Sequence, residues 1–371
     1  MLSLRVLRGS RPAMLGRWAL VAAASAGTGL LLLSAVGWAL SHPHGSATDS
    51  VMRLVWCAVP VVVTVQLAAA VGCRQSAAWP RDGLSSVGLG RTGMRALAAV
   101  TTAVVCAAGS LLALLLFLLV RGDVAGGPWG AVGPGLLASG TTLPAAGVAT
   151  LLALVPAAAA VAVAVGLRSS RPKEAHDTPG SLPWGVALVA VGLSVEVAAP
   201  KGDGVPLPSG LGVIAPAAVA GWIVTTVGLV LAGPGLAFFS GRLLAVYRPG
   251  AVRLLAGRTL QYESRRIGRP LGLLCATAAA ALSAYTLQSG AGHRLGPVTV
   301  FAFTLIAVCV LATATVGLSE TGNARPEAQG ALSAVAAPAT MLRAALAVRA
   351  AALAAVLVGV AFLVAGLSTL P

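Results

Sequence analysis

Nine stretches of this chain are each apolar over about 20 residues, and this repetition limits the fold more than any other feature. A helix that crosses the hydrocarbon core of a bilayer needs about 20 predominantly apolar residues. Lipid offers no hydrogen-bond partner to the backbone, so such a run folds as a helix. The pattern predicts an all-α polytopic membrane protein of about nine transmembrane helices, with room for a tenth. The nine windows are 18–41, 53–73, 96–120, 143–167, 183–199, 213–240, 270–289, 297–318 and 345–369.

The low charge content supports the same fold class. Only 9% of the 371 residues are charged, whereas 57% are hydrophobic. A soluble domain carries about 25% charged residues, and its core stops growing beyond roughly 250–300 residues. The interior of a soluble protein could not hold this much apolar surface, which excludes that class.

The distribution of basic residues predicts the orientation. With a cytoplasmic N-terminus, all but four of the 25 Lys and Arg residues fall on the inner side. This bias follows the positive-inside rule and predicts a multi-pass protein of the cell membrane. The net charge of +15 is thereby explained by topology and by contact with anionic lipid, so no nucleic-acid partner is expected. The four exceptions are Arg53, Arg121, Lys201 and Arg294.

Two inner segments share a sequence. LSSVGLGRTGMRALAAV at 84–100 aligns without a gap with LSAVAAPATMLRAALAV at 332–348, and 8 of the 17 positions are identical. Ser, Thr and Arg are uncommon in this chain, so their matches carry more weight than those of Ala and Val. These less common pairs are Ser85/Ser333, Thr92/Thr340 and Arg95/Arg343.

The match extends to the order of the elements around it. A basic segment, a span, a short outer loop, a second span, an inner segment and a third span occur at 1–120 and again at 250–369. Both copies start on the inner side, so we expect two parallel repeats, as in many transporters. The chain then divides into a first membrane half at 1–167, a linker with a linking helix pair at 168–240, and a second half at 241–371.

The inner segments resemble the region between the second and third spans of FtsX-like permeases, the membrane subunits of ABC transporters of the macrolide- and bacitracin-exporter type. The basic stretch at 251–274 is similar to the helix that precedes a span in that family. The first copy fits the family pattern at Asp82, Leu84, Val87, Gly88, Thr92 and Arg95, and Arg91 can share a helical face with Leu84 and Val87. The second copy fits at Glu327, Leu332, Val335, Ala336, Thr340 and Arg343.

The resemblance implies a function for these positions. In such permeases this segment is the coupling helix that docks into a cytoplasmic ATPase, and two copies imply an ATPase dimer. The chain departs from the family in lacking a large outer domain, since the first outer loop is the short SHPHGSATDS. It also shows nine spans where two full halves and a linking pair would give ten. With so little outer domain, we expect a lipid-like or amphipathic cargo.

We expect no enzymatic activity in this chain. A phosphate loop of the form GxxxxGK[ST] is absent, and the two lysines, Lys173 and Lys201, each follow a proline. ATP hydrolysis would therefore reside on a separate subunit, and neither catalytic residues nor a cofactor is predicted. His42 and His44 form an HxH pair, but two ligands are too few for a closed zinc site, so no metal is predicted.

Glu196 is the only acidic residue within a predicted span. An ionisable group in the membrane is a functional-site hypothesis, although Glu196 is close enough to the outer end to reach headgroup water. Three functions remain open at this point. The first is an ABC permease subunit, the second is a non-catalytic scaffold, sensor or degenerate half-permease without an ATPase, and the third is a secondary carrier, which the scarcity of intramembrane charge disfavours.

Overall fold

The computed structural model confirms an all-α polytopic membrane protein. It describes residues 12–42, 47–77, 90–121, 144–168, 180–199, 205–206, 213–246, 250–291, 296–323 and 339–368. Two-residue strands β1 (Val205–Pro206) and β2 (Val213–Ile214) pair antiparallel. The helices are α1 (Pro12–Ser41), α2 (Ala47–Trp56), α3 (Ala58–Ala77), α4 (Arg91–Arg121), α5 (Ala145–Arg168), α6 (Ser181–Ala198), α7 (Pro216–Ala245), α8 (Ala251–Ala291), α9 (Pro297–Asn323) and α10 (Ala339–Ser368).

Eight of the nine predicted windows coincide with helices that are long and apolar enough to cross a membrane. The remaining window, 270–289, lies within α8. Within the described part of this window, the apolar segment is Leu271–Ala280. The shortest predicted span, 183–199, is the helix α6, whose 18 residues give a length of about 27 Å. This length matches the hydrocarbon thickness of a bilayer.

Two boundaries differ from the prediction. Helix α2 begins at Ala47, inside the stretch predicted as the first outer loop, and continues to a turn at Cys57. The window 213–240 was expected to be helical from its start, but Val213 and Ile214 form β2 and Pro216 begins α7. Proline is well suited to the first turn of a helix, because its missing N–H would have no helical partner there.

The chain forms two compact units. The first comprises Met1–Pro172 with Gly296–Cys309, and the second comprises Lys173–Leu295 with Val310–Pro371. In the first, α1 packs against α4, and α5 packs against α3 and α4. One apolar cluster among its described residues comprises Leu33, Phe117, Val148 and Leu152.

In the second unit, α7 packs between α6 and α8, and α8 also packs against α10. Backbones approach closely because glycines line both contacts of α7. A Cβ added to Gly228 would lie 2.7 Å from the Val189 nitrogen of α6, and one added to Gly241 would lie 2.8 Å from the Gly257 oxygen of α8. Small residues allow this in membrane bundles, where helices associate through van der Waals packing.

The outward helix faces are apolar, as a lipid solvent requires. Leu111 of α4 is 66% exposed, Trp184 of α6 is 73% exposed, and Phe362 of α10 is 62% exposed. Exposure of large apolar side chains on this scale marks a surface that water does not face.

Candidate functional site

The predicted coupling segments lie largely outside the described residues. This applies to Asp82, Leu84, Val87 and Gly88 of the first copy and to Glu327, Leu332, Val335 and Ala336 of the second. The remaining predicted positions begin the two helices that follow. Arg91, Thr92 and Arg95 lie in the first two turns of α4, where Thr92 is exposed and Arg95 is half-buried. Thr340 and Arg343 lie in the first two turns of α10.

The helices after the two segments correspond residue by residue. Helix α4 begins at Arg91 after the non-helical Gly90, and the described part of α10 begins at Ala339, at the offset of 248 that the sequence alignment gives. The described lengths are 31 and 30 residues. Arg95 is the fifth residue of α4, and Arg343 is the fifth residue of the described part of α10. Their depth in a membrane stays a prediction.

The packing partners correspond as well. At the same offset, α1 corresponds to residues 260–289 of α8, and α3 corresponds to residues 306–325, most of which lie in α9. Helix α1 packs against α4 in the first unit, and α8 packs against α10 in the second. In each unit, the first and third helices of the proposed repeat are thus in contact.

A buried ion pair joins α8 to α10 within the second unit. The Arg349 Nη2 donates to the Glu263 Oε2. Both residues are buried, with 5% of Arg349 and 6% of Glu263 exposed. Charges removed from water are costly unless they are paired, so this contact fixes the position of one helix against the other. Arg349 is the sixth residue after Arg343 and lies in the span Ala344–Leu367.

The ion pair connects α10 to a long helix. Helix α8 is continuous over 41 residues, from its basic start through the apolar segment Leu271–Ala280. Helix α10 is therefore linked to α8 within the second unit through Arg349 and Glu263. The equivalent positions of the first unit are Leu15, which is half exposed, and Thr101, which bonds within its own helix to the Ala98 oxygen. Only the second copy has this charged connection at these positions.

Glu196 lies in the last turn of α6 and is half-buried. Its backbone packs against α7, since a Cβ added to Gly221 would lie 2.8 Å from the Glu196 nitrogen. The backbone of Glu196 thus lies on the stripe of α6 that faces α7, together with Gly185 and Gly192. A role for this carboxyl group in function stays a prediction.

Hydroxyl groups connect the helices of the first unit near the middle of α1. The Ser25 Oγ donates to the Cys106 oxygen of α4 at 2.8 Å. Thr28 and Thr64, on α1 and α3, are hydrogen-bonded through their hydroxyl oxygens at 2.7 Å, and Thr28 also donates to the Ala24 oxygen at 2.9 Å. All three side chains are completely buried. These contacts fix the register between α1 and its neighbours.

We expect Thr28→Val to lower the stability of the protein by about 0.6–2 kcal/mol, because valine keeps the shape of threonine and removes the interhelical hydrogen bond. Thermal unfolding in detergent measures the effect, and Thr28→Ser should largely restore stability. Thr304→Val is the matched control, since the exposed Thr304 hydroxyl bonds to the Val300 oxygen of its own helix. Equal effects of Thr28→Val and Thr304→Val would contradict the structural role of the Thr28–Thr64 contact.

His42, the described member of the histidine pair, packs against an aromatic ring. The His42 ring stacks on Trp38 with 4.6 Å between ring centroids, and its Nδ1 lies 3.0 Å from the Ser41 Oγ. The Arg53 guanidinium lies 3.8 Å from the centre of the Trp38 ring. Among the described residues, no group of three or more His, Cys, Asp or Glu side chains is placed to hold a metal ion. His44 and His293 lie outside those residues.

The Glu263–Arg349 pair is the functional candidate that sequence reasoning missed. Glu263 lies on a predicted inner segment and Arg349 lies at the predicted inner end of the window 345–369, where charge is explained by topology. One feature could have indicated the contact: Glu263 is the only acid among the five arginines at 253–269. A single acid within a basic helix indicates a specific partner, but its identity requires the fold. No family model, curated protein or solved structure matches this chain.

Proposed function

We propose that this protein is the permease subunit of an ABC transporter, resident in the cell membrane with a cytoplasmic N-terminus. A separate cytoplasmic ATPase dimer would supply the energy, one protomer engaging the segment 80–95 and the other the segment 326–343. The observation that carries the proposal is the correspondence of α4 and α10. They share an offset of 248 with the repeated segments before them, and each packs on the first helix of its own repeat.

In this proposal, ATP-driven closure of the ATPase dimer moves the two coupling segments together. Each segment continues into a helix, α4 or α10, so a displacement at the inner side becomes a tilt or shift of a span. In the second unit the Arg349–Glu263 pair passes the same displacement to α8. Rocking of rigid helical units against each other is the usual basis of alternating access in repeat-built transporters.

A lipid-like or amphipathic cargo fits this architecture best. A shallow groove between α6 and α10 in the second unit is apolar except for one hydroxyl. A hydrocarbon chain complements such a lining, because it has no polar group to leave unpaired. The lining residues are Ala190, Leu193, Ser194, Val197, Ala198 and Leu367.

Loss of ATPase binding on changing both coupling segments is the test of the proposal. We expect Leu84→Asp combined with Leu332→Asp to abolish co-purification of the ATPase subunit and stimulation of its activity. A carboxylate at each contact would bury an unpaired charge in an apolar cleft. Each single variant should retain part of the binding, because the other copy is intact. Affinity capture of the tagged chain and ATP turnover in proteoliposomes measure the two effects.

The matched control places two aspartates on the predicted outer side, at Leu136 and Leu295. This variant should bind the ATPase normally. If the Leu84/Leu332 variant binds and stimulates the ATPase as the control does, the coupling assignment is wrong, and the scaffold or sensor alternative becomes the better one. Reporter fusions to the N-terminus test the orientation separately.

A further inference from the structure

The face of α7 that packs on α6 continues beyond the start of α6. Gly228 and Gly235 of this face lie against α6, and Gly235 meets Leu182 in its first turn. Leu243 and Val246 follow Gly235 by eight and eleven residues, so the helical repeat places them on the same side of α7. They are 56% and 53% exposed. Small residues that α6 covers are thus followed by large apolar residues that are open.

The depth of these two side chains follows from the packing of α6. That helix is about 27 Å long, which matches the hydrocarbon core, so its first turn marks the predicted inner edge of the core. Measured along α7 from Gly235, Leu243 and Val246 lie about 12 and 16 Å past this edge. A headgroup layer adds only about 5–8 Å on each side of the core. The two side chains therefore reach the aqueous phase, where exposed apolar surface indicates an interaction site.

Helix α8 brings a third exposed apolar side chain to the same level. It runs antiparallel to α7, and a Cβ added to Gly257 would lie 2.6 Å from the Gly241 oxygen. Leu254 is three residues before Gly257, at the level of the last turn of α7, and is 42% exposed. We call Leu243, Val246 and Leu254 the inner-end patch.

The described start of α10 lies at this level as well. Helices α8 and α10 run parallel, since their later apolar residues also cluster with each other. The contact of Arg349 with Glu263 sets their register. Ala339, where the described part of α10 begins, is ten residues before Arg349 and so lies at the level of the inner-end patch. The end of the segment 326–343 and the patch are therefore at the same end of the second unit.

We propose that the inner-end patch is a second docking surface for the ATPase subunit, beside the coupling segment 326–343. This inference rests on the proposed function. The complementary surface is an apolar groove with carboxylates at its rim, because the exposed Arg242 and Arg253 each precede a leucine of the patch. Leu243 and Val246 have the spacing with which a helix places its anchors in such a groove. Another copy of this chain would bring like charges together.

Binding of the purified ABC ATPase encoded next to this chain tests the patch, with the full chain held in lipid nanodiscs. We expect Leu243→Asp/Val246→Asp to weaken binding about tenfold, because each carboxylate would be buried in an apolar groove without a partner. Leu243→Met/Val246→Ile should bind as the native chain does, since it keeps the apolar surface. Biolayer interferometry measures the dissociation constants. The thermal midpoint of both variants should be unchanged, because both positions are exposed.

The matched control is Val51→Asp/Leu54→Asp, which changes the same two residue types at the same spacing on the predicted outer side. These residues are 59% and 40% exposed, and the control should bind the ATPase normally. If the patch variant binds as tightly as the control while Leu84→Asp/Leu332→Asp loses binding, the patch proposal is wrong and the proposed function stands. If the native chain does not bind the ATPase, both are wrong.

A photoreactive benzoylphenylalanine in place of Leu243 distinguishes a protein from the bilayer as the occupant of the patch. It should crosslink to the ATPase. The same group in place of Val227, which is 48% exposed in the apolar part of α7, should give lipid adducts only. Lipid adducts without ATPase adducts at Leu243 would overturn the proposal.

Discussion

Replacing Arg349 by methionine should lower the free energy of unfolding by about 3–5 kcal/mol, the usual cost of removing one partner of a buried ion pair. Methionine fills much of the volume of the arginine stem, so the loss reports on charge and not on a cavity. The Glu263 carboxylate would remain buried after losing the guanidinium. Equilibrium unfolding in mixed detergent, or the thermal midpoint of the purified chain, measures the effect.

The double variant Glu263→Met/Arg349→Met distinguishes the stability gained from the ion pair from the cost of burying its two charges. Because the desolvation cost of both charges disappears together, its stability should be close to that of the native chain, within about 1–2 kcal/mol. Arg168→Met, at an exposed position at the end of α5, serves as the control for loss of one arginine and should be neutral. Additive losses in the double variant would show that the two side chains act independently, contrary to the ion pair.

The apolar windows predicted the helices well because a membrane span can be recognised from its own sequence, without knowledge of its packing partners. A span must be apolar over its whole length, wherever its neighbours lie, so composition alone identifies it. Even α6, the shortest, was predicted as 183–199 and is found at Ser181–Ala198. Elements outside the hydrocarbon region lack this constraint. The start of α2, at 47–52, was missed for that reason, since it is short and mixes Asp49 with polar and apolar residues.

The buried pair could not be predicted for a different reason. Glu263 and Arg349 are 86 residues apart, and their contact depends on how α10 packs against α8. Counting charges by segment assigns both residues to the predicted inner side. It does not distinguish an arginine that follows the positive-inside rule from one that forms a buried ion pair. The alignment at offset 248 could not reveal it either, because the corresponding residues of the first copy are Leu15 and Thr101.

The abundance of glycine predicted close packing but not which glycines are essential. Of those in the described helices, Gly359 has no other atom within 4 Å of an added Cβ, whereas Gly268 meets the backbone of α7. The sequence surroundings of the two glycines do not distinguish these environments. The crossing of α7 and α8 does, because Gly233 and Gly268 pack against each other there.

Gly268→Ala should destabilise the second unit by about 1–3 kcal/mol, and Gly268→Leu should prevent its normal assembly. A Cβ at this position would lie 2.8 Å from the Gly233 carbonyl carbon and still closer to the Pro234 backbone. Backbone atoms cannot rotate away as a side chain can, so α7 and α8 would have to separate along their contact. We expect a lower thermal midpoint for the alanine variant and loss of the monodisperse peak in size-exclusion chromatography for the leucine variant.

Gly359→Ala and Gly359→Leu are the matched controls, since they make the same changes on an open face of α10. Both should remain monodisperse, and the alanine variant should be as stable as the native chain or slightly more stable, because alanine favours a helix over glycine. If the Gly268 variants behaved like the Gly359 variants, the close crossing of α7 and α8 would be wrong. The coupling test at Leu84 and Leu332 would be unaffected. The packing of the second unit and the proposed binding of an ATPase are therefore tested separately.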